Sequence, residues 1–251
     1  SDAAEGEERD EVGDWWGLHV LRSSLSSRVL DNLHALARSG DGAEGDAEAG
    51  GLRDSKDLVD MPLNQDPNPG LLARVTSLPA ELSTPRELFR EIFQPAGSDV
   101  LQATPDDWDP RPPVGFLPKV RGEEARRWGE QLRAIWPELC RQAAPSVAAH
   151  PSRHTLLPSK HKMFVPGSRF RETYYWDSYW IVKGLLVCKM HESATQVCRN
   201  LLGFVTAFGF VPNGARSYYL GRSQPPLLAE TVWEIFSQDA TFPGLQPQAG
   251  G

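Results

Sequence analysis

The sequence is short of several things that usually announce a function. Its longest apolar stretch, Phe204 to Val211, is broken by Thr206 and Gly209, well below the roughly 18 consecutive apolar residues of a membrane-spanning helix. Cysteine occurs only at 140, 188 and 198, with no CxxC spacing; this argues against a disulfide framework and a zinc cluster, and predicts buried small thiols. Positive charge is scarce, 26 Lys and Arg against 33 Asp and Glu for a net −7. Without a basic stripe to neutralise a run of phosphates, nucleic acid is not an expected partner. No Asn-x-Ser/Thr acceptor is present, and the acidic first dozen residues do not read as a secretory leader, so the compartment stays open. A G-x-S-x-G elbow is missing. No window alternates with period two for long enough to predict a strand.

What is there suits a mostly folded, loop-rich chain of 251 residues, with 40% hydrophobic and 24% charged residues, 22 Gly and 21 Pro. Residues 1–53 read apart from the rest. An amphipathic helix through Leu18, Leu21, Leu25, Val29, Leu33 and Leu36 leads into an acidic, Gly-rich linker, Ser39 to Gly51. Beyond it Thr84-Pro85-Arg86-Glu87 has the composition of a capped helix start, running on to Phe93. The prolines between Pro105 and Pro118 predict a long extended crossing. A helix from about Glu123 places Trp128, Leu132, Ile135, Trp136 and Leu139 on one side, with Pro137 kinking or ending it. Two long helices follow, roughly Trp176 to Lys189 and Ala194 to Phe208. The first is apolar nearly all round, which predicts burial between neighbours; the second is opened by a Ser193/Gln196 capping box. Pro225-Pro226 opens one more helix, carrying Leu227, Leu228, Val232, Ile235 and Phe236. The class is mainly α, with long loops.

Two of those loops carry the unusual residues. Pro166 to Tyr179 interleaves aromatics with Arg169, Arg171, Glu172 and Asp177. Flat apolar faces beside charged hydrogen-bonding forks suit a pyranose, which has apolar C–H faces and a rim of hydroxyls. The same residues could equally pair with one another and cap the next helix, with the aromatics as core. The second loop, Pro212 to Pro226, has an Asn213-Gly214 turn and places Arg222, Ser223 and Gln224 directly before a helix; alone it reads as a capped turn. Two such loops, each entering an apolar helix, would converge at one mouth of a helical barrel. His150 and His154 have i, i+4 spacing, but Pro151 lies between them, so no metal is expected.

PGSRFRETYYWDSYW followed by FVPNGARSYYLGRSQPPLL resembles the first signature region and next substrate loop of the α,α-trehalases, inverting glycoside hydrolases that split trehalose into two glucoses. DSKDLVDMPL (54–63) and HTLLPSKHKMFVPG are similar to further segments of that family. One departure is Ser168, where the family has the second glycine of PGGRF. The resemblance covers roughly 54–228. It implies a partial (α/α)6 toroid, an incomplete six-hairpin barrel, with residues 1–53 and 229–251 as non-family ends. Sugar-binding roles map onto Arg169, Trp176, Asp177, Asn213, Arg222, Ser223 and Gln224, and Arg169, Trp176, Asn213 and Arg222 are expected to point into one shared hollow large enough for a glucose unit. Trehalose is the implied partner, with no cofactor and no metal. The family's location suggests the cell exterior or surface, reached through a signal and anchor not seen in this chain.

No catalytic residue is assigned. In the family, acid and base come from an ESGWD-type loop and a QWD-P-x-W signature, and neither string occurs here. Glu172 and Asp177 are five apart across a loop-to-helix junction, and nothing in that spacing makes them face a bond from opposite sides. The chain alone is therefore expected to be inactive; the alternative reading is a non-catalytic carbohydrate-binding or unstable truncated isoform.

Overall fold

The structure is a computed structural model, and it describes residues 55–71, 90–111, 116–167 and 169–238, apart from the side chains at 55 and 58. The expected helix through Leu18 to Leu36, the acidic linker, the capped start at Thr84, Ser168 and the 239–251 tail lie outside the described residues. The elements are, in order, α1 (Ser55–Asp60), β1 (Val100–Gln102), a 3-10 turn Leu117–Lys119, α2 (Glu123–Ala134), α3 (Trp136–Leu139), β2 (Cys140–Ala143) and α4 (Pro145–Ala149). A 3-10 turn Pro151–Arg153, β3 (Met163–Phe164), α5 (Tyr175–Val187), α6 (His191–Phe208), a 3-10 turn Ser217–Tyr219 and α7 (Leu228–Gln238) complete them. The described chain is mainly helical. It divides into two compact units, Ser1–Leu101 with Ala144–Pro158, and Gln102–Ala143 with Ser159–Gly251.

In the first unit, α1 is closed by a buried i, i+4 ion pair between Lys56 and Asp60 at 2.5 Å. Leu63, fully buried, is held by its own backbone, which donates to Arg153 O at 2.8 Å, and by a bridge to Phe93. Proline occupies the first turn of α4, where a missing N–H costs nothing, and Val147 anchors the helix in the core. Asp66 accepts from Ser152 Oγ at 2.8 Å and Arg153 Nε at 2.9 Å, tying the 3-10 turn down.

The second unit is built on α5 and α6, which pack on each other and on α7. Val182, Leu185 and Leu186 of α5 meet Ala194 and Val197 of α6, with Cys140 and Phe164 from the β2–β3 pair completing the core. That pair is antiparallel, Cys140 opposite Phe164 and Arg141 opposite Met163. Two-residue pairing is too short to leave a period-two signal. All three cysteines are buried free thiols, as expected, and burial pushes Cys140 up to about 11.

Three expectations change. Helix α2 does begin at Glu123 and the chain does break before Pro137. It docks, however, through buried Gly129 and Arg133, and leaves Trp128, Leu132 and Ile135 exposed, while only Trp136 and Leu139 of the expected stripe reach the core. Arg133 lies over the Trp108 ring at 4.3 Å and bonds Asp109 O, which compensates its burial. Ser193 is not a cap: α6 begins at His191, and the Ser193 N–H donates to Asp107 Oδ2 at 3.0 Å, a carboxylate 86 residues away. Gln196 likewise turns to Asp106 at 2.9 Å. Finally, α5 is buried on one face only; Trp176, Trp180 and Val187 are exposed at 40%, 52% and 49%.

Candidate functional site

The two unusual loops are joined by backbone before any side chain takes part. The Tyr175 N–H donates to Asn213 O at 3.2 Å, Ala215 N–H to Thr173 O at 2.8 Å, and Tyr174 and Gly214 form an antiparallel bridge. The second loop then folds on itself, Asn213 N–H donating to Arg222 O at 2.9 Å and Arg222 N–H to Tyr219 O at 3.1 Å. Ser223 Oγ donates to Val211 O at 2.7 Å, fastening the far end of the same loop.

Helix α5 has no side-chain cap in its own sequence; its N-cap is Tyr174. The need is met from the second loop, where Gln224 Oε1 accepts the Trp176 N–H at 2.8 Å. Gln224 is thereby oriented, its carbonyl toward the helix and its amide nitrogen without a partner among the described residues. Asp177 sits in that same first turn, where the helix dipole favours a carboxylate. It makes no ion pair among the described residues, and burial holds its carboxyl above the usual range.

Five of the residues expected to bind sugar are thus brought together: Trp176, Asn213, Arg222, Ser223 and Gln224 lie on the interlocked segments, and Asp177 follows Trp176 directly. Trp176 is 40% exposed and meets Trp180 edge to face at 5.9 Å, so much of its indole is available. Arg222 is exposed, its guanidinium 5.0 Å from the Tyr219 ring centre. Arg169 lies at the outer end of the first loop, over the Phe170 ring at 5.7 Å. Gly167, at φ 117°, makes the turn before it in a conformation only glycine adopts without strain.

Beneath the site is a group that spacing did not reveal. Glu172 and Arg216 are both fully buried, with Arg216 Nε 3.5 Å from Glu172 Oε2. Tyr174 donates its hydroxyl to Glu172 Oε1 at 2.5 Å and shares a 3.1 Å contact with the Tyr219 hydroxyl. Burial first, then the neighbouring carboxylate, pushes the Tyr174 phenol well up, so it stays a donor. Glu172 is thus paired, but with Arg216 of the second loop rather than with a charge of its own loop, while Asp177 and Arg222 make no ion pair among the described residues. Residues 44 positions apart leave no local pattern; the only available signal was one charge of each sign inside two aromatic-rich loops.

The trehalase family model matches residues 51–243. This chain belongs to the trehalase family. The chain is 50% identical over 187 residues to the "Probable trehalase" of Oryza sativa subsp. japonica, covering 73% of this chain and 33% of that protein. It is 43% identical over 182 residues to the Homo sapiens "Trehalase", covering 70% and 31%, and 43% identical over 159 residues to that of Arabidopsis thaliana, covering 63% and 25%. The chain spans about a third of the length of the curated relatives it matches. Helix α7 and both polar loops fall within the family match. Among the described residues no group of His, Cys, Asp and Glu could hold a metal ion, and no helix is long and apolar enough to cross a membrane.

Proposed function

We propose that this trehalase-family chain supplies the glucose-binding side of a trehalose pocket in an (α/α)6 toroid. Arg169, Asp177 and Arg222 hold hydroxyls, Trp176 presents its ring to an apolar sugar face, and Asn213, Ser223 and Gln224 complete the polar rim. The observation that carries the reading is the Trp176 to Gln224 bond. It sets an exposed indole, a carboxylate and an oriented amide at one helix start, and adjoins the loop bearing Asn213 and Arg222.

The reaction of the whole enzyme is hydrolysis with inversion. Water adds to the anomeric carbon as a carboxylate removes its proton, and a carboxylic acid in hydrogen-bond contact with the departing glycosidic oxygen protonates it, the two carboxyl groups standing about 6.5–9.5 Å apart on opposite faces of the sugar. Glu172 is unsuited to either role, being buried against Arg216 and Tyr174. The 251 residues therefore bind sugar and do not turn it over; acid and base belong to the ESGWD-type and QWD-P-x-W segments. The motifs this reading uses lie within 54–228, and the family match extends past them on both sides, over 51–243.

Titration calorimetry of the purified chain with trehalose tests the binding half. Heat of binding is expected, reduced by about tenfold or more in affinity by Trp176→Ala. A coupled glucose assay tests the other half, with no release above the Trp176→Ala background expected. Absence of binding by the folded wild-type chain refutes the pocket, and glucose release that depends on Trp176 refutes the assignment of acid and base.

A further inference from the structure

The exposed Arg222 makes no ion pair among the described residues, yet a continuous chain of contacts, fully buried at its base, leads to it. Glu172 Oε1 accepts from the Tyr174 hydroxyl at 2.5 Å, and that hydroxyl lies 3.1 Å from the Tyr219 hydroxyl. The Tyr219 ring carries the Arg222 guanidinium at 5.0 Å, and Tyr219 O accepts the Arg222 N–H at 3.1 Å. The base of the chain is rigid, because Glu172 also accepts from the Arg171 N–H at 3.2 Å and faces Arg216 at 3.5 Å with no exposed surface on either. Tyr174 and Tyr219 meet edge to face at 5.7 Å, with both rings over Gly214, where there is no room for a side chain. Each link is short-ranged and directional, so a displacement at the carboxylate is passed outward as a displacement of a ring and then of a cation.

We propose that Glu172 is a positioning residue for sugar binding, acting through the Tyr174 and Tyr219 phenols to place the Arg222 guanidinium. The inference rests on the pocket reading above and adds a role for residues that touch no sugar. It also accounts for an ion pair buried at the junction of two loops, where a hydrophobic pair would hold the fold as well but would give the phenol no charged acceptor.

Tyr174→Phe cuts the chain at one hydroxyl and leaves the Glu172–Arg216 pair in place. Trehalose affinity is measured by NMR titration of the full chain, at a temperature where melting curves show every variant folded. Tyr174→Phe is expected to weaken binding by about threefold to tenfold. The decisive readout is a cycle with Arg222→Ala: if the hydroxyl acts through Arg222, the double variant binds no more weakly than Arg222→Ala alone. Multiplying fold-losses would show a general structural effect and overturn the proposal, as would wild-type affinity in Tyr174→Phe. Should Tyr174→Phe not fold, Tyr219→Phe cuts the next link and is judged by the same cycle; unfolding of both assigns the chain a structural role and overturns it too. A folded wild-type chain that binds no trehalose removes the pocket reading and this inference together, whereas binding that ignores the phenols removes only the latter.

Discussion

Gly214→Ala puts a single methyl group where the two loops meet. Glycine there is not in the left-handed region, so alanine can adopt the backbone, and the narrower unfolded ensemble favours the variant by about 0.4–1 kcal/mol. Space decides against it. The added Cβ would sit 3.0 Å from Tyr219 Cδ2 and Cε2 and 3.2 Å from Tyr174 Cδ1, where carbon contacts ordinarily relax to about 3.5–4.0 Å. Neither ring can retreat freely, since the two hydroxyls are 3.1 Å apart and Tyr174 is anchored on Glu172. Overpacking of this kind costs about 1–3 kcal/mol, leaving a net loss of about 0.5–2 kcal/mol after the entropic gain. At about 2–4 °C per kcal/mol the melting temperature should fall by about 1–8 °C. Trehalose affinity should fall as well, by about threefold or more, because the displaced ring is the one under Arg222. Scanning calorimetry and a trehalose titration on one preparation check both. A melting temperature equal to or above wild type, with unchanged affinity, refutes the tight seating of Tyr174 and Tyr219 against residue 214.

Gly184→Ala poses the same contest inside α5, where alanine gains about 1 kcal/mol of helix propensity. Its Cβ would lie 2.7 Å from Trp136 Cζ2, forcing the indole off its bond to Cys188 Sγ (3.3 Å) and its edge contact with Phe164 (5.8 Å). A net loss of stability is expected by chemical denaturation, recovered in the pair Gly184→Ala/Trp136→Phe; a more stable single variant contradicts it. Asp66 is held at about 2, chiefly by its bonds to Arg153 and Ser152. A lowered folded pKa contributes stability above the ordinary value of 3.8 that is lost as pH falls toward about 2, so Asp66→Asn should flatten the stability profile in that window. The pair is exposed to solvent, so the difference at neutral pH should be no more than about 1 kcal/mol and should shrink with salt. Asp177 has the opposite sign. Burial holds its carboxyl above the usual range, so acidification neutralises it earlier than an ordinary aspartate. Trehalose affinity should drop on that early acidification, and calorimetry of Asp177→Asn should show a weaker binder without that pH dependence.

Local chemistry carried much of this protein into view. Helical periodicity located α2, α5, α6 and α7 to within a few residues, because i, i+3 and i+4 spacing is a property of the chain itself. Residue type alone drew attention to the loops at 166–179 and 212–226, and the family match includes both. The ends of helices were less legible. Ser193 has the composition of a cap, but a carboxylate at 107 outcompetes it; Tyr174 has none, and a glutamine 48 residues beyond Trp176 supplies it. Likewise α2 turned its apolar stripe outward, since burial of a small Gly129 and a compensated Arg133 depends on what lies opposite. Amino-acid order thus determined which segments coil and which residue types could recognise a sugar, both governed by interactions within a few positions. Only the tertiary structure decided which charges are spent. Glu172 and Asp177 look alike in sequence, yet one is locked against an arginine 44 residues away and the other is left open at a helix start. Electrostatic pairing follows distance through space, and that distance exists only once the chain has folded.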